Sequence, residues 1–327
     1  MVLTRTAVAV AATISTLAAC SGSSDSTAVD PTDDGVSVMA TTSIWADIAS
    51  NVLCGEPVDA LIPVGADPHT FEPSLRDRES LGDADLVVAN GSGLEGSLIE
   101  LLDTVVTEGV NVVEMTSHID VITADDEDHD EDHDEDHDED HDENEDHDET
   151  DDGHGHAHVG DADPHVWQDP TRVAGALDVI ASAGGAIGLD DCGAAYATEL
   201  TDLDAEITDL LADIPPAQRI IVTSHDALAY FADRYDLEVV GTVIPSTSTL
   251  AQTNAADLAA LAELIEQRGV SAIFTEELGA TADADALADR LGVAVVPLVT
   301  DALTGDDDTY IGMMRSNATK IAEALTP

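Results

Sequence analysis

The stretch "AAYATELTDLDAEITDLLADI", residues 194–214, decides how the rest of the chain is organised. Its apolar residues recur at helical spacing over about six turns of 3.6 residues, and Pro215 and Pro216 stop it. Strand-like and helix-like runs alternate before this stretch, and the same alternation restarts after it. We therefore predict a long helix that joins two α/β units.

The alternating runs predict two sheets. Strand-like runs cover residues 36–44, 58–64, 85–90 and 111–115 before the helix, and 219–224, 237–244, 271–277 and 293–299 after it. Helix-like runs cover residues 45–53, 74–82, 94–106 and 171–188 on the first side, and 225–235, 254–268, 283–291 and 309–325 on the second. Strand–helix–strand order implies parallel strands covered by helices. The predicted fold class is α/β, with two lobes that each carry a mainly parallel sheet flanked by helices, at residues 36–190 and 215–327, and a linking helix within 191–214.

The first residues have the features of an export signal. Arg5 precedes an apolar run that ends in small residues before Cys20, which predicts a signal peptide over residues 1–19. The sequence "LAAC", residues 17–20, resembles the bacterial lipobox, whose cysteine is lipidated, although an ordinary signal peptide with an incidental cysteine would look similar. Residues 20–35 are polar and predict a lipidated tether. No other apolar run reaches the roughly 18–20 residues that span a bilayer, so we expect an exported chain that a lipid alone anchors on the outer face of the cytoplasmic membrane.

The composition bounds the possible partners. The 327 residues include 69 acidic and 10 basic side chains, which gives a formal charge of −59. Phosphate binding needs clustered Lys and Arg, so we expect no nucleic-acid partner. Apolar residues make up 43% of the chain, which is enough for two cores of ordinary size.

Two cysteines remain after Cys20. Cys54 and Cys192 form either a disulfide or a pair of buried free thiols. An exported compartment permits disulfides, and a bond would leave no unpaired thiol, so we favour the disulfide.

Three histidines occupy similar places in the pattern. His69 lies in "GADPHTFEPS" after a strand-like run, His165 in "DADPHVWQDP" before a helix, and His225 in "VTSHDALAYF" after a strand-like run. In both Asp-Pro-His motifs, proline restricts the backbone and holds the next imidazole in a rigid turn. One loop histidine is more often simply exposed, but three placed alike indicate a metal site.

A tetrahedral metal site needs a fourth donor. Asp301 follows the last strand-like run, although a turn or helix-cap aspartate would stand in the same place. Glu276 and Glu277 are weaker candidates at the end of the run 271–277. Three neutral imidazoles and one carboxylate suit Zn²⁺, and four protein ligands leave no open position for a reacting water.

Other side chains have simpler interpretations. Trp167 and Tyr230 are expected to wall the cleft or core, Met313 and Met314 to face the core from the last helix, and His118 to be an ordinary loop histidine.

Four motifs together resemble the zinc/manganese solute-binding proteins of bacterial ABC importers, of the zinc-uptake receptor type. They are "GADPHTFEPS", "DPHVWQDP", "SHDALAYFADRYD" and "TDALTGDDDTYIGMMRSN", in family order, within a resemblance over roughly residues 36–325. The resemblance implies that His69, His165, His225 and Asp301 bind the metal in a cleft between two α/β lobes that a long rigid helix joins. Manganese-specific members typically carry Glu at the third position, so His225 favours zinc.

The segment "EDHDEDHDEDHDEDHDENEDHDE", residues 127–149, lies between the first two of these motifs. Zinc members of the family often carry a His- and acid-rich insertion there, but this one is dominated by Asp and Glu. Dense like charge predicts a disordered loop over residues 125–160. We expect either weak accessory metal sites or a merely solvated linker. The histidines concerned are His129, His133, His137, His141, His147, His154, His156 and His158.

The resemblance implies an extracytoplasmic receptor with high affinity for Zn²⁺ that delivers the ion to an ABC permease with its ATPase, as a monomer and without catalysis. A manganese receptor and a zinc buffer without a permease are alternatives. A zinc-dependent hydrolase is another, in which His69 would bind the metal and Glu72 would act as base at an open coordination position. Because the ligands must be neutral imidazoles, affinity is expected to fall as the pH drops through about 6–6.5.

Overall fold

The structure is a computed structural model that describes residues 35–123, 162–277, 281–304 and 308–326. The predicted signal peptide, Cys20, nearly all of the tether and the acidic segment with its eight histidines lie outside the described residues. In the described part, no helix combines the length and the apolar character that a membrane crossing requires.

The first half of the described chain forms a parallel four-stranded sheet. Its strands are β1 (Val38–Ala40), β2 (Val58–Ala60), β3 (Leu86–Ala89) and β4 (Asn111–Glu114), in the order β2-β1-β3-β4. Helices α1 (Ser43–Val52), α2 (Leu75–Gly82) and α3 (Ile99–Glu108) alternate with them. The predicted strand 36–44 ends early because Thr42 caps α1, its hydroxyl accepting the backbone N–H of Trp45.

Two helices, α4 (Pro170–Ala186) and α5 (Gly193–Leu211), connect this sheet to the next one. Pro170 occupies the first turn of α4, and the Asp169 carboxylate caps it. Gly184 lies where α4 approaches Leu53, whose side chain leaves no room for a Cβ. The predicted long helix corresponds to α5, which packs against α1, α4 and a final helix, α9 (Tyr310–Leu325). The lobe boundaries at residues 190 and 214 stay a prediction.

The second sheet repeats the order of the first. Its strands are β5 (Ile220–Thr223), β6 (Glu238–Thr242), β7 (Ala272–Glu276) and β8 (Ala294–Leu298), all parallel and in the order β6-β5-β7-β8. Helices α6 (Ala229–Tyr235), α7 (Ala255–Arg268) and α8 (Ala282–Leu291) alternate with them. The predicted fold class of two α/β lobes with parallel sheets is therefore confirmed.

One predicted helix begins later than expected. The helix expected over residues 225–235 starts at Ala229, because the backbone after β5 first makes a turn. In this turn Ala227 N–H donates to the carbonyl of His225, and Asp226 N–H donates to the carbonyl of Ser246. The turn keeps His225 at the end of the strand.

A disulfide joins Cys54 and Cys192, as predicted. Their Cα atoms lie 5.2 Å apart, and the bond links the end of α1 to the start of α5. Beside it, Cys192 N–H donates to the carbonyl of Val52 at 2.8 Å. The bond therefore fastens the connecting helix to the first sheet's own helix.

The largest apolar core extends from the first sheet to the second. It contains Trp45 from α1, Trp167 from the turn before α4, Phe231 from α6, and Met313 and Met314 from α9. The core role expected for the two methionines is confirmed, since both are fully buried. This shared core fixes the ends of the two sheets with respect to each other.

Candidate metal centre

Four side chains predicted as ligands converge on one point. His69, His165, His225 and Asp301 are all buried, and one potential ligand atom from each lies within 4.8 Å of the others. No second group of this kind occurs among the residues that the structure describes.

Each of the four residues sits at the end of an element. His69 lies in a turn after β2, and His225 and Asp301 follow β5 and β8. His165 precedes the 3₁₀ turn Val166–Gln168, which leads into α4. Carboxyl ends of parallel strands are the usual place for ligands in such folds, and here the two sheets supply opposite sides of one site.

The distances fit a small ion. Nε2 of His165 lies 3.2 Å from Nε2 of His225, 3.7 Å from Oδ1 of Asp301, and Nε2 of His225 lies 3.8 Å from Oδ2 of Asp301. Ligand atoms about 2.0–2.1 Å from a tetrahedral Zn²⁺ would be roughly 3.3–3.5 Å apart. Nε2 of His69 and Oδ1 of Asp301 are buried without a hydrogen-bond partner among the described residues. Buried polar atoms normally have a partner, and a cation would satisfy both.

The two Asp-Pro-His motifs make the same local hydrogen bond. Asp67 Oδ1 accepts the backbone N–H of His69 at 2.8 Å, and Asp163 Oδ1 accepts that of His165 at 2.9 Å. The aspartate two residues before each histidine thus fixes the turn that proline already restricts.

Two further carboxylates orient the imidazoles. Oδ1 of Asp163 lies 2.6 Å from Nδ1 of His165, and Oε1 of Glu276 contacts Nδ1 of His225. Ser224 Oγ donates to the same oxygen of Glu276 at 3.0 Å. Carboxylates on the outer nitrogen are typical of metal-binding histidines, because they leave Nε2 free for the ion.

Burial and neighbouring charge separate the proton affinities of these groups. Burial and the two neighbouring imidazoles lower the pKa of His69 to about 3, and burial lowers that of His165 well below its ordinary value. Burial opposes charge on His225, but Glu276 and Asp301 outweigh it and raise its pKa to about 9. Burial raises the pKa of Asp301 to about 7. In the metal-free chain His225 therefore carries a proton at neutral pH, where an ion would have to displace it.

The remaining candidates are not among the four converging donors. Glu72 and Glu277 are exposed and outside the group of four, and Glu277 accepts a hydrogen bond from Thr304. Glu276, predicted as a weak ligand candidate, contacts His225 instead. Sequence reasoning missed Asp163 as a partner of His165, although its spacing repeats that of Asp67 and His69 and could have indicated it.

Comparison with known families identifies this arrangement. Residues 38–324 match the family model described as "ZnuA: Zinc-uptake complex component A periplasmic". The chain belongs to this family. Its members are metal-binding receptors of the periplasm. This confirms the zinc/manganese solute-binding family that the sequence motifs predicted.

The relatives of this ZnuA-family chain are named for binding different metals. It is 27% identical to the manganese-binding lipoprotein MntA of Halalkalibacterium halodurans, over 96% of either chain. It is 28% identical to the zinc-binding protein TroA of Treponema pallidum, over 90% of this chain and 91% of TroA. The solved structure of that periplasmic zinc-binding protein superposes with a TM-score of 0.71 at 26% identity, over 90% of this chain and all of the other. The zinc-binding lipoprotein AdcA of Streptococcus pneumoniae is 30% identical over 80% of this chain, which spans half of AdcA.

Proposed function

We propose that the chain is an extracytoplasmic receptor that binds one Zn²⁺ ion at His69, His165, His225 and Asp301 and delivers it to an ABC importer. The observation that carries the proposal is the convergence of four buried donors, two of which have no other partner among the described residues. Keeping such polar groups in the interior costs free energy unless a cation binds them.

The donor set supports zinc over manganese. Imidazole nitrogen suits Zn²⁺, whereas Mn²⁺ prefers carboxylate, carbonyl and water oxygens. Three of the four donors are histidines, including His225 at the position where manganese-specific members of the family typically have Glu. Relatives named for zinc and for manganese both occur, so manganese is the second candidate.

The geometry supports binding rather than catalysis. All four donors are buried, whereas Glu72, the base of the hydrolase alternative, is exposed. A hydrolase needs an open coordination position and a base within reach of it. A buffer without a permease would have the same site, and transport by cells that carry the importer genes distinguishes the two.

The anchor and partners follow the family pattern. We propose lipidation at Cys20, export to the outer face of the cytoplasmic membrane, and transfer as a monomer to a permease with its ATPase. MntA of Halalkalibacterium halodurans and AdcA of Streptococcus pneumoniae are named lipoproteins, which supports the anchor. Cys20→Ala is expected to release the chain from the membrane fraction of the host, and continued membrane association would contradict the anchor.

Competitive titration tests the proposed ion. Metal analysis and titration of Zn²⁺ against Mn²⁺ are run on the full chain and on a chain that lacks residues 125–158. We expect one tight zinc ion in both, together with weaker zinc ions only in the full chain, at the histidines of the acidic segment. Preference for Mn²⁺ would favour the second candidate ion, manganese. Loss of the tight ion with the deletion would show that residues 125–158 are needed to bind it, which would contradict the four-residue site.

A further inference from the structure

The turn that carries His165 is held by hydrogen bonds from side chains in both halves of the chain. Tyr230 on α6 donates its hydroxyl proton to the carbonyl of Asp163 at 2.8 Å. Asn90, directly after β3, donates from Nδ2 to the carbonyl of Pro164 at 2.9 Å. Because these carbonyls are consecutive, the backbone leading into His165 is fixed from two sides.

The Tyr230 hydroxyl is itself held in place. It accepts the backbone N–H of Ile122 at 2.9 Å, and Asp163 N–H donates to the carbonyl of Ile122 at 2.9 Å. The tyrosine is fully buried, and the guanidinium carbon of Arg172 lies 5.2 Å from its ring centroid. With donor and acceptor both used, the hydroxyl has little freedom to follow a displaced turn.

Asn90 is equally constrained on the opposite side. Its Oδ1 accepts the indole N–H of Trp45 at 2.7 Å, and its backbone N–H donates to Oε1 of Glu95 at 2.8 Å. The indole sets the orientation of the amide and leaves Nδ2 facing Pro164. Both holding groups are thus buried and anchored in elements that do not belong to the turn.

We propose that Tyr230 and Asn90 are positioning residues that hold His165 in the geometry that metal binding requires. The inference rests on the proposed function, because it concerns His165 as a ligand. Asp163 links the hydroxyl to the ring: its carbonyl accepts from Tyr230, while its carboxylate contacts the Nδ1 and the backbone N–H of His165. Loss of the hydroxyl frees that carbonyl, and the imidazole shifts with the turn. Mutation of a group that supports a metal ligand typically lowers metal affinity 10–100-fold.

The test uses the full chain and a one-atom deletion. Tyr230→Phe keeps the ring and removes the hydroxyl. Tyr196→Phe on α5 is the matched control, since Tyr196 is also buried and its hydroxyl has no hydrogen-bond partner among the described residues. We expect the zinc dissociation constant to rise about tenfold in Tyr230→Phe, with faster zinc release, and to change less than twofold in the control.

A spectroscopic measurement separates positioning from general damage to the fold. Co²⁺ alone serves as probe, because its visible d–d bands respond to the geometry of its ligands. Bands shifted in Tyr230→Phe and in Asn90→Asp, where a carboxylate oxygen would face the Pro164 carbonyl, together with weaker zinc binding, support the inference. Wild-type affinity in Tyr230→Phe, or weaker binding with unchanged bands, overturns it. Absence of tight zinc binding in the wild-type chain would instead contradict the proposed function.

Discussion

Nδ1 of His165 lies 2.6 Å from Oδ1 of Asp163, and both side chains are buried. The ring therefore donates its Nδ1 proton outward, and the lone pair of Nε2 faces His225 and Asp301. This pair shows how the chain prepares a ligand before the ion arrives, since a short carboxylate contact sets both the tautomer and the orientation of the ring.

Replacing this carboxylate is expected to weaken metal binding. Asp163→Asn keeps the shape but loses the charge, so the zinc dissociation constant should rise about tenfold, as measured by chelator competition. Asp67→Asn is the control, because Asp67 accepts the backbone N–H of His69 and the hydroxyl of Thr249. Unchanged zinc affinity in Asp163→Asn would show that the ring contact is unimportant.

Zinc affinity is expected to keep rising with pH up to about 9. The carboxylates of Glu276 and Asp301 raise the pKa of His225 against burial to about 9, so zinc must displace this proton throughout the neutral range. Each displaced proton changes the affinity about tenfold per pH unit. The pH range over which zinc affinity changes therefore extends above the value of about 6–6.5 that ordinary histidines predict. Calorimetry at pH 7.5, in buffers with different ionisation enthalpies, should detect about one released proton per zinc ion.

Glu276→Gln provides the check on this assignment. Without the Glu276 carboxylate the pKa of His225 falls, because Asp301 is left to oppose burial, so the rise in affinity between pH 7 and 9 should become smaller. In the metal-free wild-type chain, the raised pKa contributes stability that is complete below about pH 6.5 and is lost as the pH rises through about 9. If zinc affinity of Glu276→Gln followed the wild-type dependence on pH, the displaced proton would belong to a group other than His225.

The sequence predicted the four converging residues but not what surrounds them. Strand ends and repeated Asp-Pro-His turns are local patterns, so His69, His165 and His225 could be chosen from them. Glu276 was predicted only as a possible ligand. Its contact with Nδ1 of His225 could not be predicted, because this contact depends on the register between β5 and β7. Tyr230 was expected only to wall the cleft or core, since a hydrogen bond across 67 residues leaves no local signal.

The same limit applies to the connecting region. Helical period and a double proline located α5, but the packing of α4 beside it depends on the contact of Gly184 with Leu53. The two glycines near the end of α4 weaken a helix prediction from sequence alone, whereas the structure needs one of them for close approach.

The disulfide is expected to contribute stability without tuning the metal site. Cys54→Ser with Cys192→Ser removes a bond that closes a separation of 138 residues, which should cost about 2–5 kcal/mol of unfolding free energy. Zinc affinity of the folded variant should stay within twofold, because the bond joins α1 to α5 and none of the four donors belongs to these helices. Thermal melting and chelator competition measure the two effects, and a tenfold loss of affinity would couple the bond to the site.

Zinc stoichiometry and affinity of a triple variant test the central claim most directly. His69→Ala, His165→Ala and His225→Ala are combined in the full chain, with the acidic segment intact, and the chain is titrated with zinc against a high-affinity chelator. Removing three of four donors should abolish the one tight equivalent and leave the weaker ions bound. A triple variant that still binds one zinc ion as tightly as the wild-type chain would contradict the assignment of the site.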